Sequence, residues 1–137
     1  MVTISTTYTG NKSCSLIHNE GASITTTAPR DIGGAGGTVA FSPTDLVAAG
    51  LAACILTTAA MFAERHGISL DGATATVEKH MTTPPLPRRI ARLPVVVTLP
   101  SSVPLEMRPR VEAAGNTCPV HSSLLPEIDK PITYRYV

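Results

Sequence analysis

Residues 46–63, LVAAGLAACILTTAAMFA, run for eighteen positions without a charge. That length reaches the threshold for crossing a bilayer. Seven of the eighteen are Ala, two are Thr and one is Gly, so the stretch is weakly hydrophobic, and no basic flank sets an orientation across a membrane. The better reading is a central helix, apolar on all sides and wrapped by other elements. The start signal agrees. In "SPTDL", Ser42 can be the N-cap, Pro43 takes the first helical position, and Asp45 falls in the first turn, where a carboxylate suits the helix dipole. Gly67, just after His66, supplies a C-cap.

The flanking sequence reads as short strands. Residues 2–8, 12–18 and 22–27 are rich in Thr, Ile, Val and Tyr, and Asn19, Glu20 and Gly21 mark a tight hairpin between the second and third. Residues 29–41 hold four of the ten glycines and read as a mobile loop; no Lys-Ser/Thr follows them, so a phosphate loop is a weak reading. Residues 70–82 alternate, with Ala73, Ala75, Val77 and Met81 on one parity. Residues 88–99 do the same with Ala91, Leu93, Val95, Val97 and Leu99, while Pro94 inside the run suggests an edge or a bulge. A helix follows Pro104 and closes near Gly115, with Pro109 expected to kink it. A short helix from Pro119 and a last strand complete the chain. The order is that of an α+β fold, in a single domain covering residues 1–137.

Composition closes several routes. The net charge is +1 and only Arg88, Arg89 and Arg92 cluster, so there is no electrostatic footprint for nucleic acid and no polybasic membrane patch. Trp is absent and aromatics are few, which disfavours a base-stacking platform. The N-terminus lacks the basic and apolar regions of a secretory signal. The three cysteines, at 14, 54 and 118, are odd in number and far apart, unlike a secreted disulfide framework. We expect a cytoplasmic protein with reduced thiols.

Each thiol has a bland alternative. Cys54 lies mid-helix, where its own helix offers no help to a thiolate; it can be inert packing or a nucleophile. Cys118 precedes Pro119 at a helix N-terminus, where backbone amides and the dipole favour a thiolate. Cys14, in a strand, reads as a bystander. A metal site would join Cys118 and His121 to His66 or His80, a weak signal from two ligands. No G-x-S-x-G is present for a serine hydrolase.

"SPTDLVAAGLAACILTTAAMFAERHGI", followed 64 residues after Cys54 by "CPVH", resembles the OsmC/Ohr family, the osmotically inducible and organic hydroperoxide resistance proteins. The match covers nearly the whole chain in order and spacing, and its flavour is that of the OsmC-like branch. The resemblance implies antiparallel sheets around a long central helix, an intertwined homodimer with two active sites at its interface, and thiol peroxidase chemistry without metal, haem or other cofactor. It implies that Cys54 is the peroxidatic cysteine, oxidised to a sulfenic acid by an organic hydroperoxide. Cys118 is then the resolving one, closing a Cys54–Cys118 disulfide. An external dithiol, such as a lipoylated protein, would be the reductant. Leu51, Ile55, Leu56, Met61 and Phe62 would give Cys54 apolar walls. The family also supplies an arginine from the loop before the central helix, held by a carboxylate. Arg30 is the one arginine in that loop, with Arg88, Arg89 and Arg92 as fallbacks, and Asp45 falls where glutamate is usual. Nine residues put Asp45 and Cys54 on opposite faces of one helix, about 13 Å apart along its axis, so an Asp45 serving the site would come from a partner subunit. The rivals are a non-catalytic redox sensor or small-molecule binder, and a thiol-dependent hydrolase with His121 as base.

Overall fold

In a computed structural model describing residues 1–137, the chain divides into two compact units, Met1–Val47 and Ala48–Val137. The first opens with an antiparallel meander of β1 (Ile4–Gly10), β2 (Ser13–His18) and β3 (Ser23–Thr27). Asn11 and Lys12 turn the first hairpin with φ of 53° and 59°, the left-handed pair that matches strand twist. The 19–21 turn is the expected one. The glycine-rich loop folds back on itself through backbone hydrogen bonds. A 3₁₀ turn at Arg30–Ile32 opens it, Gly34 donates to Pro29 at 2.9 Å, and Gly36 donates to Ala28 at 3.2 Å. A side chain at Gly34 would collide with the Ala28 backbone, so glycine is required there. This unit buries little. Tyr8, Ile24 and Phe41 are each at least half exposed, while Thr26 and Thr27 are buried.

α1 (Pro43–Glu64) starts and stops within two residues of the expected limits. Its bare alanine-rich run has one fully buried stripe, Leu51, Ile55, Ala59 and Ala63, at a spacing of four. Met61 is half exposed, and only a third of the apolar window is covered. Within one chain the helix is therefore packed on one face rather than wrapped.

The 70–82 run breaks into β4 (Thr74–Val77) and β5 (His80–Met81), and the 88–99 run into β6 (Ile90–Arg92) and β7 (Val95–Leu99). Pro94 sits at the second break. It cannot donate a ladder bond, but its carbonyl accepts from Glu78 at 3.1 Å. It does not mark an edge: β7 is central in a sheet ordered β4–β7–β8, with β8 at Ile132–Tyr136. β5 and β6 form their own two-stranded sheet. The parity reading holds, since Leu93, Val95, Val97 and Leu99 are all buried and join the α1 stripe in one core. Each such side chain contributes about 1.5–3 kcal/mol by leaving water. All strand pairs are antiparallel except β7–β8, which is parallel. A parallel pair needs a long crossover. Here it carries a 3₁₀ turn (Leu105–Met107), α2 (Arg108–Gly115) and α3 (Pro119–Ser123). Pro109 does not kink a helix. It lies in the first turn of α2, where its missing N–H costs nothing.

Candidate active site

The crossover brings Cys118 to Cys54. Cys118 is the N-cap of α3, with the extended backbone (φ −49°, ψ 127°) that a following proline imposes. Its Sγ accepts the His121 amide at 3.4 Å, and it is fully buried. Cys54 is half-buried on α1, and both thiols are free. Cys54 Sγ lies 3.9 Å from Thr58 Oγ1, one helical turn on. The Cys118 thiol and the Val120 amide also favour the Cys54 thiolate.

These contacts set the two thiols apart. Burial pushes the Cys54 pKa up, but the donors Cys118, Val120 and Thr58 outweigh it, and the net shift is below the ordinary thiol value. Cys118 moves the other way. Burial raises it, and donation to Cys54 raises it further, against the amides of His121 and Val120. The amides at the start of α3 do favour a Cys118 thiolate, as its N-terminal place implies, but burial and Cys54 outweigh them, while Val120 also lowers Cys54. Thr58 and Val120 were missed; the (i, i+4) spacing from Cys54 is the signal that could have found Thr58.

Behind the pair, Tyr134 on β8 donates to Glu112 O at 3.2 Å and to Asn116 Oδ1 at 3.0 Å, tying down the end of α2. Burial, then the Glu112 charge, holds its pKa up at about 12. The Tyr134 hydroxyl occupies the space a Cβ on Gly115 would need, which fixes that residue as glycine.

The histidines are engaged elsewhere. His121 Nε2 lies 3.0 Å from the Lys130 carbonyl, to which it donates, leaving Nδ1 as the ring's acceptor. His66 Nδ1 lies 3.0 Å from Phe62 O, and His80 pairs with Glu78 at 2.7 Å. Asp45 and Ser42 form a reciprocal cap: Ser42 N donates to Asp45 Oδ2 at 2.9 Å and Asp45 N to Ser42 Oγ at 3.1 Å. Arg30 donates to Thr38 Oγ1 at 2.7 Å and to Ala35 O at 3.3 Å, within its own loop. Arg92 pairs with Asp129 at 2.7 Å. Arg30 and Asp45 lie in the first unit, Cys54 and Cys118 in the second.

Of the expected apolar walls, Leu51 and Ile55 belong wholly to the core. Met61 and Phe62 line a cleft of about 500 Å³ that also takes in Thr58, Thr117, Arg65 and Arg110.

The comparisons agree with this architecture. A protein from Psychrobacter arcticus, named for osmotic stress induction and a detoxification response, is 35% identical over 98% of this chain and 96% of its own, with a TM-score of 0.88. An organic hydroperoxide resistance protein OsmC from Legionella pneumophila is 22% identical over 97% and 96%, with a TM-score of 0.74. The organic hydroperoxide resistance protein OhrB of Bacillus subtilis is 16% identical over 98% of each chain, with a TM-score of 0.68. A search of curated proteins found no match. The family description "OsmC-like protein" matches residues 34–132, most of the length and both thiols of the pair. The chain belongs to the OsmC-like protein family.

Proposed function

We propose that this protein is a thiol-dependent reductase of organic hydroperoxides. The observation that carries the reading is a pair of unlike free thiols that act on each other: a half-buried Cys54 with a lowered pKa and a buried Cys118 with a raised one. The Cys54 thiolate attacks the distal oxygen of the peroxide. The O–O bond breaks, Cys54 becomes a sulfenic acid, and the departing alkoxide takes up a proton and leaves as the alcohol. Cys118, now deprotonated, attacks the sulfenic sulfur and expels hydroxide, closing a disulfide. An external dithiol reopens it by exchange and is itself oxidised to the disulfide. The names of the Legionella and Bacillus neighbours point the same way.

The working form is a homodimer. Half-exposed Tyr8, Ile24, Phe41 and Met61 are apolar side chains that a second copy would cover. In it, Arg30 and Asp45 of one subunit would serve the thiols of the other. A cycle that must regenerate two thiols suits the cytoplasm.

The test is one turnover. Reduced protein is mixed with one equivalent of cumene hydroperoxide or hydrogen peroxide, and disulfides are mapped by mass spectrometry. A Cys54–Cys118 bond that forms fast, and faster with the organic peroxide, is the expected result. Thiols still reduced after hours would overturn the reading and leave a binding protein.

A further inference from the structure

Cys118 stands on short supports. α3, which it caps, has five residues, and a helix of that length holds little by itself. On the other side, the Cys118 amide donates to Gly115 O at 3.2 Å, at the end of α2. That end is pinned by Tyr134, which belongs to β8 and reaches back to the crossover. Its hydroxyl proton is shared between Glu112 O at 3.2 Å and Asn116 Oδ1 at 3.0 Å. Asn116 N donates to the same Glu112 carbonyl at 3.0 Å, so both acceptors belong to one turn. Gly115 lies within that turn. Having no Cβ, it lets the backbone close on the phenol and on Ile55, the α1 residue that follows Cys54. Burial, Glu112, Tyr136 and then Cys118 hold the Tyr134 pKa up, so the phenol is near enough to feel the thiol. Neither of its hydrogen bonds goes to a sulfur, so it acts on Cys118 through the turn.

We propose that Tyr134 is a positioning residue: by pinning the 112–116 turn from β8, it holds Cys118 ready to close on an oxidised Cys54. The inference rests on the peroxidase reading and adds to it the choice that follows the first oxidation. In one branch, the Cys118 sulfur attacks the sulfenic sulfur of Cys54. The S–S bond forms, the S–O bond breaks, and hydroxide leaves with the Cys118 proton as water. In the other branch, the sulfenic sulfur attacks a second hydroperoxide. The O–O bond breaks, the alcohol leaves, and Cys54 ends as a sulfinic acid that thiols do not reduce. Closure is intramolecular, so its rate depends on how well Cys118 is placed, whereas the second oxidation does not involve Cys118. A pinned Cys118 therefore lets the protein withstand higher peroxide.

The ratio of the two branches is the first readout. Reduced protein is exposed to rising cumene hydroperoxide with no reductant, and the Cys54–Cys118 disulfide and Cys54 sulfinic acid are counted by mass spectrometry. The ratio is set after Cys54 is oxidised, so the speed of the first step does not enter. Tyr134→Phe should lower the peroxide concentration that gives equal amounts about tenfold, the scale of a slightly misplaced reacting group. Asn116→Ala should move it in the same direction, and its exposed position keeps the test open if Tyr134→Phe misfolds. Asn116→Asp keeps an acceptor and should stay near wild type. Ser42→Ala loosens the α1 cap without touching the turn, so it is the stability control and should leave the ratio alone. The second readout needs no peroxide. In dithiothreitol redox buffers the disulfide of Tyr134→Phe should be about tenfold easier to reduce, a potential about 30 mV less negative. Wild-type values in Tyr134→Phe, or in Asn116→Ala where that variant alone folds, would overturn the inference, as would an equal fall in Ser42→Ala. A wild-type chain that ignores hydroperoxide, with the potential still shifted in Tyr134→Phe, would sink the peroxidase reading and keep the positioning role. Disulfide closure by hydroperoxide in wild type, with neither readout moved in the variants, would do the reverse.

Discussion

Cys54 and Cys118 shift each other's pKa in opposite directions, down for the thiol on α1 and up for the one at the start of α3, so the thiol on α1 ionises first. The asymmetry is geometric in origin. Pro119 fixes the extended backbone of Cys118 at the start of α3, and from there the Cys118 thiol and the Val120 amide both favour the Cys54 thiolate. A thiol whose pKa is lowered holds more thiolate at neutral pH, so Cys54 should alkylate with iodoacetamide faster than an ordinary thiol there. Cys118→Ala removes a donor, so its rate-against-pH curve should move to higher pH. Cys118→Ser keeps an O–H donor and should fall between the two. A curve that does not move in Cys118→Ala would show that the contact does not set the reactivity. In the Ser variant, one equivalent of hydroperoxide should leave a sulfenic acid at Cys54 that dimedone labels.

Tyr134 and Tyr136 give the alkaline limit. Burial comes first for both, with the Glu112 charge next, and each is raised to about 12. A folded-state pKa above the unfolded one, about 10 for a tyrosine, favours the protonated form in the native state. The contribution is therefore complete below about pH 10 and is lost as pH rises towards about 12. Chemical denaturation across that window should show stability falling steadily, and Tyr134→Phe should flatten the fall. A flat wild-type profile would mean that the phenols are wetter than their packing indicates.

Gly115 faces the same hydroxyl. Gly115→Ala drives a methyl group into Tyr134 Oη, which two hydrogen bonds hold in place, and brings it close to Ile55. Overpacking of this kind costs about 1–3 kcal/mol. The double variant Gly115→Ala/Tyr134→Phe should recover part of that, measured by urea unfolding. Equal losses in the single and double variants would place the strain elsewhere.

How far the sequence reaches can be seen at particular residues. α1 announced itself through Ser42, Pro43 and Asp45, and its cap is the reciprocal one those residue types allow. Leu93, Val95, Val97 and Leu99 fell on one parity because one face of β7 is dry. Pro94 and Pro109 misled because proline marks a boundary as readily as a defect: Pro94 lies just before β7 and Pro109 in the first turn of α2. The parallel pairing of β8 was out of reach, since it depends on how the crossover folds. The electrostatics of the thiols were out of reach for a similar reason. They depend on the Val120 amide, which the backbone supplies and no residue type reveals. The uniform apolar surface of α1 suggested a wrapped helix, but one chain covers only one side of it.

Ser42 and Asp45 share the cap, so variants of the two separate capping from any second role of Asp45. Ser42→Ala and Asp45→Ala should each cost about 1 kcal/mol of stability, measured by urea unfolding. If Asp45 also steadies Arg30 of a partner subunit, Asp45→Ala should lose hydroperoxide turnover while Ser42→Ala keeps it. Equal turnover in both would leave Asp45 as a cap and nothing more.

The bare apolar surface makes the assembly testable without activity. In the Met1–Val47 unit, Ile24 and Phe41 are half exposed beside buried Thr26 and Thr27, and Val39 is exposed further. A three-stranded meander with so little buried gains little from its own packing, because hairpin hydrogen bonds alone are marginal in water. A second copy that covers these side chains would supply the missing burial. Sedimentation should therefore give a dimer, and a charge placed in the patch, Phe41→Asp, should shift it to monomer. Phe41 is half exposed, so the substitution spares the buried core and circular dichroism should stay native. The monomer should keep both thiols in contact, and with them the fast alkylation of Cys54, yet lose hydroperoxide turnover if Arg30 of the partner is needed. A wild-type chain that sediments as a monomer would remove the partner from the site and leave the lowered Cys54 pKa to the contacts within one subunit.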